Sequence, residues 1–222
     1  MIDNSYTTKL FYDQYLYKLV ITNSLASIFR NNNLAYARGQ LDRIQLDYES
    51  NSVLRLTMYS RNIAITKQEF VAAKILLSEL DIRDDYKIRI ENPNMSIYSN
   101  NKQWIKTLIA KPLVTKEFWE PKLGTTDLLV KNNIIITDES FGFKYKITLK
   151  DRIDSQFYNW LIANPNKVKI GTTCLQSIKN SNYVRGFYMY IKDEKILQLI
   201  TLMIGTSIAR IDNLVYPAIN DK

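Results

Sequence analysis

Apolar and polar positions along the 222 residues repeat with two periods, one of about 3.6 residues for helices and one of two for strands. The stretch YLYKLVIT, Tyr15 to Thr22, concentrates aromatic and β-branched side chains and predicts a first strand. Asn31-Asn32-Asn33 breaks the chain, after which Leu34, Ala37, Leu41, Ile44 and Tyr48 recur at spacings of three and four and predict an amphipathic helix. Gly39 weakens that helix by roughly 1 kcal/mol without reversing the pattern. Val53 to Ser60 alternates, with Leu54, Leu56 and Met58 facing a core, and Ile63 to Ile65 predicts a short return strand. Thr66-Lys67-Gln68-Glu69 has the capping-box form and opens a helix carrying Phe70, Ala73, Leu77 and Leu80 on one face. Tyr86 to Glu91 alternates again, Asn92-Pro93-Asn94 has turn chemistry, and Met95 to Tyr98 returns. Ser99 or Asn100 then caps a helix with Trp104, Ile105 and Leu108.

The strand and helix order of this first part matches a ferredoxin-like or RRM-like α+β arrangement, an order that carries no function by itself. Between Pro112 and Pro121, LVTKEFWE shows neither period, which predicts a linker over 112–121 between a domain of residues 1–111 and a second of 122–222. In the second part, Leu128 to Val130, Ile134 to Thr137 and Phe143 to Leu149 predict an antiparallel meander. A helix with Phe157, Trp160 and Leu161 stops before Pro165, and a short strand from Val168 to Ile170 and a short helix from Thr172 to Ile178 follow. The block from Tyr183 to Pro217 is the most apolar of the chain and predicts a strand, a charged turn, a helix from Lys195 to Ile204 and a last strand. That helix is apolar nearly all round, which predicts a central position or an interface. Two small α+β parts in sequence is therefore the expected fold.

Charge changes the picture. Lys and Arg total 30 against 22 Asp and Glu, a formal charge of +8 that favours an anionic partner. The excess has no tail: each half of the chain carries 15 basic and 11 acidic residues, and the densest positive stretch is Gly142 to Lys195, with ten basic residues against four acidic. The single cysteine, Cys174, forms no intramolecular disulfide and predicts a reducing, cytoplasmic setting. MIDNSYTTKLFYDQ lacks a signal-peptide core, and the apolar run of Ile196 to Ile211 is too short and too interrupted to span a bilayer, so neither secretion nor membrane insertion is expected. Abundant Asn, Ile, Lys and Tyr suits an AT-rich genome and is compatible with a phage or other viral origin.

The chemistry is bounded first by the absence of histidine, which excludes His-based nucleophilic relays, His-ligated zinc and HUH-type strand transfer. No Walker A or dinucleotide-binding glycine pattern occurs, and no cofactor is expected. Cys174 is read as a buried structural thiol. Asp193-Glu194-Lys195 at a strand end, with Asp138 or Glu139 from a neighbouring strand, has oxygen ligands of the kind a magnesium-dependent nuclease uses, although KDEK also fits a solvated turn. Asp84-Asp85 fits a solvated loop in the same way.

Alternation of basic and aromatic residues on strands is the larger signal. Lys144, Lys146, Thr148 and Lys150 are expected on one face of a strand, opposite Phe143, Tyr145, Ile147 and Leu149, with successive lysines about 7 Å apart, near the spacing of phosphates along a strand. Tyr188, Tyr190 and Lys192 share a face opposite Phe187, Met189 and Ile191, and in the first part Arg55, Tyr59, Lys87 and Arg89 are expected to form a similar surface. Phosphate contacts by these cations and base stacking on these tyrosines define a non-enzymatic protein that binds single-stranded DNA or RNA. Wet antiparallel faces also carry Lys, Arg, Thr and Tyr for solubility alone. The alternative from another class is a structural or assembly protein, such as a virion component, that self-associates or joins other subunits through its apolar helix and tyrosine-rich strands.

Overall fold

The computed structural model describes residues 2–51, 53–58, 61–131, 133–137 and 142–216. The chain divides into two units, Met1–Thr126 and Asp127–Lys222, each a mixture of helix and strand with its own sheet and its own apolar core.

The first unit begins with β1 (Asp3–Thr7) and β2 (Tyr17–Thr22), followed by a 3-10 segment at Ala26–Asn32 and the long helix α1 (Leu34–Asn51). A two-stranded ribbon, β3 (Arg55–Met58) with β4 (Arg61–Ala64), leads to α2 (Lys67–Asp81), and β5 (Tyr86–Glu91), β6 (Asn94–Ser99), α3 (Lys102–Ile109) and β7 (Val114–Pro121) complete it. The five-stranded sheet has the order β1-β7-β2-β6-β5. The pairs β7–β2, β2–β6 and β6–β5 are antiparallel and β1–β7 is parallel, and the two crossovers place helices between β2 and β5 and between β6 and β7. With β7, β2, β6 and β5 in that order this is a split βαβ arrangement, but of other strands than expected: β3 and β4 form a separate ribbon outside it, and β7 supplies the fourth strand.

β7 is the stretch expected to be a linker. It is an interior strand, antiparallel to β2 on one side and parallel to β1 on the other. A bulge explains why its period was hidden: Val20 pairs with Glu117 and Ile21 with Thr115, so Lys116 is an extra residue that breaks the alternation. Pro121 is its last residue and Pro112 precedes it by two positions, so neither costs a central ladder bond.

One face of this sheet carries Tyr17, Leu19, Ile21, Met95, Ile97 and Phe118 into a core shared with Leu41 and Ile44 of α1, Phe70, Leu76 and Leu80 of α2 and Trp104, Ile105 and Leu108 of α3. Each such large apolar side chain contributes roughly 1.5–3 kcal/mol by leaving water. The ends of α2 and α3 are set by side chains. Thr66 Oγ1 accepts from the Glu69 amide at 3.1 Å, and the Glu69 carboxylate accepts from the Thr66 amide at 2.9 Å, closing the expected capping box. α3 is capped one residue later than expected, by Asn101, whose side chain accepts from the Trp104 amide at 2.9 Å.

The division falls at the first residue of α4 (Thr126–Leu129), and the second unit then holds β8 (Ile134–Ile136), β9 (Tyr145–Leu149), α5 (Ser155–Ala163), β10 (Val168–Ile170), α6 (Thr172–Lys179), β11 (Tyr188–Ile191), α7 (Glu194–Ile204) and β12 (Ile208–Val215). Its sheet order is β10-β11-β9-β12-β8. The expected meander is absent from it. Residues 126–129 are helical, and β8 pairs in parallel with β12 while β9 runs between β11 and β12. Three isoleucines in a row at β8 give no alternation from which a partner could be read.

Ile147, Leu149, Met189, Ile191 and Val168 lie in the core of this unit with Phe157 and Leu161 of α5, Cys174 and Ile178 of α6 and Ile200 and Ile204 of α7. Of the two positions its composition predicts for α7, central or at an interface, the wholly central one is not taken. Ile200 and Ile204 are buried, whereas Leu199, Met203 and above all Leu202, 85% exposed, face outward. Among the described residues no helix is long and apolar enough to cross a membrane.

Candidate nucleic-acid interface

The face of the second sheet opposite its core is built by strand alternation. Fully buried Met189 and Ile191 turn Tyr188 and Tyr190 to the other side, and buried Ile147 and Leu149 do the same for Lys146 and Thr148. Pairing then aligns these residues across the strands. Lys169 of β10 stands opposite Tyr190, Tyr190 opposite Lys146 and Lys146 opposite Asp212, so one row crosses four strands. Beside it, Tyr188, Thr148 and Arg210 form a second row. Neighbouring strands are about 4.8 Å apart, and the first row therefore spans roughly 14 Å.

The rings and cations of the two rows touch. Lys146 Nζ lies 4.2 Å from the centroid of the Tyr188 ring, Tyr188 meets Tyr190 edge-on with centroids 5.5 Å apart, and Phe143 lies 6.5 Å from Tyr190. Phe143 thus joins the tyrosines rather than the core, because it precedes β9 and escapes that strand's alternation. Tyr188 is 46% exposed and Tyr190 half-buried. Burial, then the neighbouring Tyr188, pushes the Tyr190 phenol above its ordinary value, so this ring stays uncharged at neutral pH and does not repel an anion. Asp212, 0% exposed, is paired with Arg210.

The other expected site residues distribute as follows. Lys144 and Lys150 flank β9 rather than lying within it: their amides donate to Ile191 O and Ser207 O, and both residues are exposed. Only Lys146 of the three lysines sits in the ladder, so the expected file of three along one strand is reduced to one within the strand and one beyond each end. Lys192 is exposed just past β11, its amide bound to Lys167 O. Asp193, considered as a metal ligand, is the N-cap of α7, its carboxylate accepting from the Ile196 amide at 3.0 Å, a structural role. Asp138, Glu139 and Tyr59 lie outside the described residues, among which no cluster of three acidic or cysteine ligands occurs.

In the first unit the expected surface is divided. Arg55 is exposed on the separate β3–β4 ribbon, away from the sheet that bears Lys87 and Arg89. Most of the face opposite that sheet's core is closed by the segment before β2. Phe11, Tyr12 and Tyr15 gather on Tyr98 with centroids 5.3, 5.0 and 6.4 Å away, and Phe11 also meets Trp119 edge-on. Lys18 lies over the Trp119 ring and is paired with Glu117. Lys87 and Arg89, at the β5 edge, remain exposed.

Lys169, Arg210 and Asp212 were missed in the sequence. Lys169 between Val168 and Ile170, and Arg210 and Asp212 around Ile211, carry the period-two signal in strands too short or too irregular to draw notice. Comparison with protein-family models found no matching family, and comparisons with curated proteins and with solved structures found no match.

Proposed function

We propose that the chain binds single-stranded DNA or RNA on the second unit's sheet, with Tyr188 as a stacking platform and Lys146, Lys169 and the flanking Lys144 and Lys150 as phosphate contacts. The observation that carries this reading is the two-row arrangement, in which Tyr190 stands between Lys169 and Lys146 across neighbouring strands and the exposed Tyr188 ring lies beside them. A base has a π-face whatever its identity, so stacking of this kind tolerates sequence and contributes about 1–3 kcal/mol per base. The lysines add an attraction that weakens as salt rises. Ultraviolet crosslinking of a single-stranded oligonucleotide to the full chain, read by mass spectrometry of the peptides, tests it. Crosslinks at Tyr188 or Tyr190 are expected, and crosslinks confined to residues 1–126 overturn the assignment of the site.

A second reading comes from another class, an assembly subunit that joins other protein chains through α7. Leu199, Leu202 and Met203 on the outer side of that helix support it, since large apolar side chains clustered on one exposed helix face mark contact surfaces. Light scattering across a concentration series on the wild-type chain and Leu202→Lys tests this reading: a mass that rises with concentration and falls back in the variant supports it, and a constant monomer mass removes it.

A further inference from the structure

We propose that the first unit holds a separate site for a nucleoside 5′-phosphate, in the cleft between β5 and the 3-10 segment Ala26–Asn32. The cleft measures about 450 Å³, within the range of roughly 300–1,000 Å³ typical of small-molecule sites. Arg30, Lys87 and Arg89 line it, and no acidic residue does. Arg89 is paired with Glu91, whereas Arg30 and Lys87 make no ion pair among the described residues. Lys87 and Arg89 are two positions apart on one strand face, about 7 Å, with Arg30 contributed from the opposite wall.

The backbone adds to this. β5 is the edge strand of its sheet, bound only to β6, and its other edge receives no backbone hydrogen bond among the described residues. Free N–H groups on that edge are donors for an anion. Both rims are held in left-handed conformations: Asn31 and Asn32 at φ 62° and 55° on one, and Tyr12 at φ 54° on the other. Asparagine tolerates this region, but a tyrosine there is strained and persists only because its surroundings hold it. What holds it is the tight turn in which the Tyr15 amide donates to Phe11 O at 2.9 Å, and the result is a Tyr12 ring 4.3 Å from Lys87 Nζ at the cleft mouth. Cations for a phosphate, a half-exposed ring and the apolar sides of Ile88 and Ile90 for the remainder of the ligand together match a nucleotide rather than inorganic phosphate. The ligand chemistry has two sources, a free mononucleotide or the phosphorylated 5′ end of a strand.

Isothermal titration of the full chain with adenosine 5′-monophosphate, adenosine, and 5′-phosphorylated and 5′-hydroxyl oligoadenylate tests the site and separates the sources. Binding of the monophosphate but not adenosine, weakened about ten-fold in Arg30→Ala and in Lys87→Ala by loss of a charged hydrogen bond and unchanged in Arg55→Ala, supports the site with a free nucleotide as its ligand. A preference for the 5′-phosphorylated over the 5′-hydroxyl strand, with no monophosphate binding and with the preference lost in the same two variants, supports it with a strand end. Affinity independent of the phosphate in both pairs, or a phosphate effect unchanged in Arg30→Ala and Lys87→Ala, overturns it. Because the readout is the part of the phosphate effect that Arg30→Ala and Lys87→Ala remove, it is independent of binding to the second unit's sheet, and failure of either reading is seen separately. Arg30 and Lys87 are exposed, and circular dichroism of both variants is expected to match the wild type.

Discussion

Lys146 Nζ sits 4.2 Å from the centroid of the Tyr188 ring, with the two residues on adjacent strands of the second sheet. A cation placed over an aromatic face is held by the ring's quadrupole, and in a partly exposed pair this contributes about 0.5–1 kcal/mol. On the proposed reading, the lysine meets a phosphate from this fixed place while the ring presents its remaining surface to a base. Replacing Tyr188 by Ala is expected to weaken binding of a single-stranded oligonucleotide by about 1–3 kcal/mol, and Tyr188→Phe is expected to retain most of it, because the π-face and not the hydroxyl carries the contact. Fluorescence anisotropy of a labelled strand measures both. Tyr188 is 46% exposed, so neither change should unfold the unit.

Asp193 separates a structural role from a chemical one. Asp193→Ala removes the acceptor of the Ile196 amide and should lower the stability of the chain by about 1 kcal/mol, measured by urea denaturation. Oligonucleotide affinity should stay at the wild-type value. A loss of affinity with unchanged stability would place Asp193 in the interface instead.

Glu69 gives the first unit an acid-sensitive joint. Burial raises its carboxyl, but hydrogen bonds from the Ser24 hydroxyl, the Thr66 amide and hydroxyl and the Ser24 amide outweigh that and hold it below the ordinary value of 4.5. A depressed folded value means that the stabilisation is present above the unfolded value and is lost as pH falls through the folded one. Glu69→Gln should cost about 1 kcal/mol at neutral pH, and the difference between the variant and the wild type should shrink on acidification below about pH 4.5. Thermal melts across that range read it directly.

Cys174 should be inert in the folded chain. It is 3% exposed in the core of the second unit, and burial pushes its thiol up from 9.0 to about 11. The nucleophilic thiolate is then scarce at neutral pH and the sulfur inaccessible. A chromogenic disulfide reagent should label it only in denaturant. Because the folded value is raised, the group's contribution to stability is complete below pH 9 and is lost as pH rises through about 11.

Much of the fold could be read in the pattern of residues wherever alternation or a cap was local. The Thr66–Glu69 capping box, the β5–β6 hairpin and the helix carrying Ile200 and Ile204 are of this kind. What could not be read depended on pairing between distant segments. The bulge at Lys116 hid β7, the partner of β8 lies some eighty residues away in β12, and β1 pairs, among the described residues, with the distant β7. The tyrosine face was legible because Met189 and Ile191 alternate with Tyr188 and Tyr190 in one short run. Its full width was not, because Lys169 and Arg210 reach it only through register.

The measurement that bears most directly on the central claim is the affinity of the full chain for single-stranded DNA and RNA across a series of salt concentrations, beside Lys146→Ala and Lys169→Ala. The expected result is a straight fall of log affinity with log salt, at a slope of about 0.7 for each phosphate neutralised, with the slope reduced by nearly that amount in each variant. Absence of binding to either polymer at low ionic strength, or an affinity that salt and both substitutions leave unchanged, would contradict the proposal.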